Sequence, residues 1–204
     1  MAVAIIGREE QLLAVVLTGS PRAGGATSAA AEAVAGGLKD AGARVERLAV
    51  SELSIAPCAG LHDCDATGTC HQHDDFDRVA DLLTAAARLV ICSPVYFQGM
   101  PAQLKALVDR CQVFHVRKYI LGKSSPVSPD GLPRVAALVG LSGSTRKGSF
   151  DGLLAEASAL FAARDFQRGP TLLIPGTDQS APSAEQLKQA RELGKSLASW
   201  RTGG

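Results

Sequence analysis

The stretch LLAVVLTG, Leu12 to Gly19, runs apolar almost without a break, and that continuity constrains the fold more than any other feature. A strand with one wet face alternates apolar and polar side chains; a strand buried on both faces does not. The same signature recurs in RLVICS (Arg88–Ser93) and RVAALVGL (Arg134–Leu141). Weaker strands are expected at Ala43–Val50 and Thr171–Gly176. Helical patterns fill the intervals, over Thr27–Ala41, Asp74–Ala87, Pro101–Cys111, Ser149–Ala163 and Ser183–Trp200. Pro101 suits a first helical turn, where its missing N–H is not needed, and Asp74 and Asp75 suit a positive helix N-terminus. Strands alternating with helices predict a parallel sheet covered by helices on both faces.

No repeat or long linker divides the 204 residues, so one domain over residues 1–204 is expected. Val113–Pro133, with its KSSPVSPDGLP run, is expected to be a long surface loop. A formal net charge of +1 without a basic block argues against nucleic-acid and anionic-membrane partners. No run approaches the about 20 apolar residues of a membrane span. The opening MAVAIIGREE lacks the cationic start of a secretory signal. A cytoplasmic location with reduced thiols is therefore expected.

Ligands of such sheets bind beyond the carboxyl ends of the strands, so the loops after the strands carry the interest. GSPRAGGAT, Gly19–Thr27, offers the hydroxyls of Ser20 and Thr27, the planar donor fork of Arg22, and glycines that let backbone N–H groups turn inward. The following helix points its positive end there. The stretch is an anion site or a plain flexible turn. It is not a triphosphate loop, because Gly25 and Ala26 stand where lysine and a hydroxyl residue are required.

SPVYFQGMPAQLKALVDR, Ser93–Arg110, places Tyr96 and Phe97 between Pro94 and Gly99. These rings either flank a flat ligand or pack under the next helix. GLSGSTRKGSF, Gly140–Phe150, is rich in small residues that admit a ligand close to the backbone. Arg146 and Lys147 in it read as a solvated pair, the alternative being attraction of the phosphates of a dinucleotide. Cys92 and Cys111 fall in elements expected to be buried and read as small core residues, and His115 as a helix-end or interface histidine.

GSPRAGGAT and SPVYFQGMPAQLKALVDR, with IAPCAGLHDCDATGTCHQHDDF between them, resemble the flavodoxin-like NAD(P)H-dependent FMN reductase superfamily, nearest its iron–sulfur flavoprotein branch. The resemblance implies a flavodoxin-like three-layer α/β sandwich with a five-stranded parallel sheet in the order 2-1-3-4-5. It implies FMN as cofactor, its phosphate held by Ser20, Arg22 and Thr27 and by the backbone of Ala26 and Ser28. Pro94, Val95, Tyr96 and Phe97 correspond to the loop along the ribityl chain and isoalloxazine, and Ser142 and Gly143 to the ring's polar edge. Family members often carry asparagine where this chain has Ala26.

Iron–sulfur members of that branch carry four clustered cysteines. The matching positions here are Cys58, Leu61, Cys64 and Cys70, and leucine cannot ligate iron. No metal is assigned. His62, His71 and His73 beside three thiols leave a zinc site open, and Cys58 with Cys64 a redox disulfide.

The resemblance implies an oxidoreductase that takes hydride from NAD(P)H and passes electrons to a flavin, quinone or similar aromatic, as a homodimer or homotetramer. No acid–base residue is required of the protein, so no catalytic residue is named. The alternatives are a flavodoxin-type electron carrier and a flavoenzyme of specialised metabolism with one dedicated substrate. Near-neutral charge, and a lone tryptophan, Trp200, in the last helix, disfavour the carrier.

Overall fold

The computed structural model describes residues 11–200; the opening MAVAIIGREE lies outside them. Five parallel strands form one sheet in the order β2-β1-β3-β4-β5. They are β1 (Leu13–Thr18), β2 (Arg44–Ala49), β3 (Arg88–Pro94), β4 (Val135–Leu141) and β5 (Gln167–Ile174). The helices are α1 (Ala26–Asp40), α2 (Asp75–Ala85), α3 (Ala102–Arg110), α4 (Gln112–His115), α5 (Asp151–Ala163) and α6 (Ala184–Ala198). This is the expected flavodoxin-like sandwich.

The unbroken apolar runs work as proposed. Leu13, Val15 and Leu17 face one layer with Phe76, Val79 and Leu83 of α2, Leu104 and Leu107 of α3, and Leu153 and Leu160 of α5. Ala14 and Val16 face the other, with Ala30, Val34 and Leu38 of α1 and Leu193 and Leu197 of α6. Every residue of β1 and β4 is buried, whereas the edge strands β2 and β5 are largely not.

Two expectations need correction. Val113–Pro133 is not a loop throughout, because helix continues through α4 into a π-helical turn over Val116–Ile120. Val113, Phe114 and Val116 are buried, and no helix breaker precedes Gly122, so burial extends the helix across a segment whose polar end suggested a loop. Strand β5 begins at Gln167 rather than Thr171. Gly169 and Pro170 disguise it; the ladder to β4 shifts register there, and an edge strand tolerates proline's missing donor at such an irregularity.

Three buried arginines fasten the layers through carbonyl oxygens. Arg88 donates to Leu197, Pro133 and Trp200, and Arg134 to Ser125, Val127, Leu83, Thr84 and Ala86. Arg110 donates to Ala56 and Gln72, and also to the Asp74 carboxylate at 2.8 Å.

Candidate functional site

The loops following β1, β3, β4 and β5 enclose a cleft of about 390 Å³ at the carboxyl ends of the strands. Of the residues expected to bind ligand, Arg22, Pro94, Val95, Tyr96, Phe97, Ser142 and Gly143 line it. Ser20 and Thr27 are buried at the base of the first loop, and Ala26 and Ser28 begin α1 beside them.

The first loop keeps its donors free. Gly25 caps α1 with no side-chain hydrogen bond, and no acidic residue occupies the first turn. The opening N–H groups and the positive end of a 15-residue helix therefore face outward. The Ser20 hydroxyl accepts the Arg22 N–H at 3.1 Å and so shapes the turn that presents Arg22.

The loop after β3 is a two-residue turn. Tyr96 and Gly99 exchange both backbone hydrogen bonds at 3.0 Å, and Phe97 and Gln98 between them have φ of 48° and 67°. This is the pattern of a type I′ turn, which usually takes asparagine and glycine. Two larger residues in the left-handed region are strained and need outside support. Helix α5 supplies it: Leu153 N–H donates to the Gln98 carbonyl at 3.1 Å, and Met100 N–H to Glu156 Oε2 at 2.7 Å. The turn leaves Tyr96 40% exposed and Phe97 fully exposed. The rings do not pack under α3.

Sequence reasoning missed Gln98, Ser144, Ser149, Thr177 and Asp178, and preferred a solvated Arg146 over one that attracts dinucleotide phosphates; all line the cleft. Thr177 and Asp178 follow β5, where the rule of carboxyl ends would have found them. Asp178 lies against Gly143, where a Cβ would push its exposed carboxylate aside.

The cysteine loop lies between β2 and α2. Its base is held by Asp74, which accepts N–H groups of Ala56 at 3.0 Å and Phe76 at 2.9 Å in addition to Arg110. Burial pulls the Asp74 pKa upward, but these hydrogen bonds outweigh it and hold the carboxyl below the usual range. Burial, then Asp65, with smaller contributions from Cys58 and Cys70, raises the Cys64 thiol, so thiol rather than thiolate prevails at neutral pH. Leu61 is 61% exposed and offers no donor. Among the described residues no group of three His, Cys, Asp or Glu is arranged to hold a metal ion. This donor set does not fit a four-thiolate cluster.

The profile of the NADPH-dependent FMN reductase family matches residues 12–126, which run from β1 through α4 and include the loops after β1 and β3. The chain belongs to this family. FMN is the cofactor of this family, and the donor set of the cleft fits it: free N–H groups and Arg22 for a phosphate, exposed aromatics and small polar residues for a ring. An iron–sulfur flavoprotein of Archaeoglobus fulgidus is 34% identical over 110 residues, 54% of this chain and 50% of that protein. One from Methanosarcina thermophila is 30% identical over 105 residues, 52% and 55% of the two chains. The chain thus spans about half the length of the curated relatives it matches.

Solved structures agree on the fold. A flavone reductase superposes with a TM-score of 0.68 at 18% identity, covering 92% of this chain and 62% of the other. An NAD(P)H:quinone oxidoreductase from Methanothermobacter marburgensis gives 0.65 at 15% identity, covering 92% and 99%. Among the described residues no helix is long and apolar enough to cross a membrane.

Proposed function

We propose that this chain is an FMN-dependent oxidoreductase that takes hydride from NAD(P)H and delivers electrons to a small aromatic acceptor, a flavin or quinone. The observation carrying this reading is the pairing, in one cleft, of an uncapped helix N-terminus and Arg22 with an exposed aromatic turn. The first suits a phosphate monoester and the second a flat ring attached to it.

Bound FMN supplies the acceptance of hydride and the onward transfer of electrons. The protein's part is binding and shaping. Arg22 and the first N–H groups of α1 hold the phosphate, with Ser20 fixing the turn that carries Arg22. The Tyr96–Gly99 turn walls the ring on one side and keeps its own geometry through α5. Ser142 and Gly143 meet the ring's polar edge. Arg146, exposed at the rim, meets the negative charge of the incoming dinucleotide. A second copy of the chain, in a homodimer or homotetramer, covers Phe97 and completes the wall.

The test begins with the absorption spectrum of the purified protein, where twin flavin bands support the reading. Protein that stays colourless after incubation with FMN overturns it. NADPH and NADH loss in air, with added quinone or flavin, then separates a reductase from a flavodoxin-type carrier, which consumes neither. Size-exclusion chromatography tests assembly; a fully active, flavin-loaded monomer contradicts the shared wall.

A further inference from the structure

At the opposite end of the sheet, where β3, β4 and β5 begin, a small half-open cavity of about 110 Å³ lies among α2, α4 and the end of α5. Arg164, the C-cap of α5, lines it together with Arg117, Lys123, Ser125, Thr84 and Asp165. Arg164 is 5% exposed, and its Nε is buried with no hydrogen-bond partner. Among the described residues its guanidinium makes no hydrogen bond at all. Arg110 also has a buried Nε without a partner, but Arg88, Arg110 and Arg134 each donate to several carbonyl oxygens through their other nitrogens.

The surroundings do not neutralise it. Arg164 and Arg117 both lie over the Phe114 ring, at 5.0 and 5.5 Å, so two like charges share one aromatic ring. Arg117 spends its Nε on the Gly68 carbonyl at 2.8 Å. Asp165 is the lining carboxylate, but it is committed elsewhere: Lys118 pairs with it at 2.9 Å, and the Ser124 hydroxyl and Ser125 N–H donate to it. Burial first, then Arg134 and Arg117, push the Arg164 pKa down to about 10, with partial relief from Asp165. A buried guanidinium without an acceptor is costly unless an anion or water completes it.

We propose that this cavity binds a small tetrahedral oxyanion of the phosphate or sulfate class, held by Arg164, Arg117 and Lys123. Its size selects the ligand. It exceeds the about 30 Å³ that one water occupies in the liquid and falls well short of the about 300–1,000 Å³ of pockets for larger organic ligands. Guanidinium forks match tetrahedral oxyanions in charge and geometry. The site is remote from the flavin cleft, on other loops and at the other end of the strands, and does not depend on the activity proposed above. Its occupant ties the ends of α2 and α5 to the π-helical turn.

The test is thermal unfolding in inorganic phosphate, sulfate and chloride at matched ionic strength, with isothermal titration of phosphate. It is run on the FMN-saturated protein and on Arg22→Ala, so that the flavin loop cannot supply the signal. Phosphate and sulfate should raise Tm by several degrees over chloride in both, with about one ion bound. Arg164→Met should abolish that increment and, in oxyanion-free buffer, melt above the parent because an uncompensated buried charge has gone. Lys123→Gln, an exposed position, should fold normally and weaken phosphate binding several-fold. Equal Tm in all three salts overturns the proposal. So does an increment that survives Arg164→Met, or one that disappears with Arg22→Ala.

Discussion

Met100 N–H donates to Glu156 Oε2 at 2.7 Å, joining the loop after β3 to the second turn of α5. With the Leu153 N–H on the Gln98 carbonyl, this bond holds two non-glycine residues in the left-handed region. Gly152 belongs to the same arrangement, because a Cβ there would strike the Gln98 carbonyl. The aromatic wall of the cleft is thus shaped by a helix that contributes no ring of its own.

Glu156→Ala removes the acceptor and leaves the Met100 N–H inside the protein without a partner, at a cost of about 1–3 kcal/mol. Part of that cost falls on the loop's bound geometry, so FMN affinity should drop about tenfold. Glu156→Gln keeps an oxygen acceptor and should restore most of it. Fluorescence titration with FMN measures both variants. Unchanged affinity in Glu156→Ala would show that the turn holds itself.

Gln98→Gly should have the opposite effect on stability. A left-handed residue costs roughly 1–2 kcal/mol more than glycine there, and Gln98 sits at φ 67°. Relief of about 1 kcal/mol corresponds to about 2–4 °C in Tm for a chain of this size. A melting curve that does not move upward argues against strain at this turn.

Arg22→Ala separates the two ends of the cofactor. The guanidinium faces the cleft beside the free N-terminus of α1 and acts on a phosphate, not on a ring. FMN affinity should fall about ten- to a hundredfold, in line with a charge-assisted pair, while riboflavin affinity stays within about twofold, a change of at most ~0.4 kcal/mol. Parallel losses for both ligands would place Arg22 elsewhere.

The sheet was legible because unbroken apolar runs report burial on both faces, and β1, β3 and β4 are buried along nearly their whole length; its strand order came only with the resemblance to the FMN reductase superfamily. Loops read locally were harder. Tyr96 and Phe97 were recognisable as candidates, but their exposure depends on Glu156 and Leu153, more than fifty residues later in the chain. Asp178 and Thr177 carry no motif; only the topology brings them beside Gly143. Arg146 looks like any solvated arginine until β4 places its loop at the cleft. The continuation of helix through Ile120 escaped notice because burial of Phe114 and Val116, not propensity, sustains it.

The last prediction concerns acid. The Asp74 carboxyl, hydrogen-bonded by Arg110, Ala56 and Phe76, has its pKa below the unfolded value of about 3.9. The unfolded chain therefore binds the proton more readily. Stability from this group is complete above about pH 4 and is lost as pH falls through the native pKa. Asp74→Asn should cost about 2 kcal/mol at pH 7, since buried Arg110 loses its charged partner but keeps its carbonyls. The difference from the parent should shrink as pH falls toward 3. Asp165, also held low by Ser125, Lys118 and Ser124 against the upward pull of burial, contributes with the same sign, so the variant's acid limb is shallower rather than flat. Urea unfolding from pH 3 to 7 measures this. A gap between the two proteins that stays constant across that range would show that Asp74 titrates at its ordinary value, and that its role at the base of the cysteine loop is packing rather than charge.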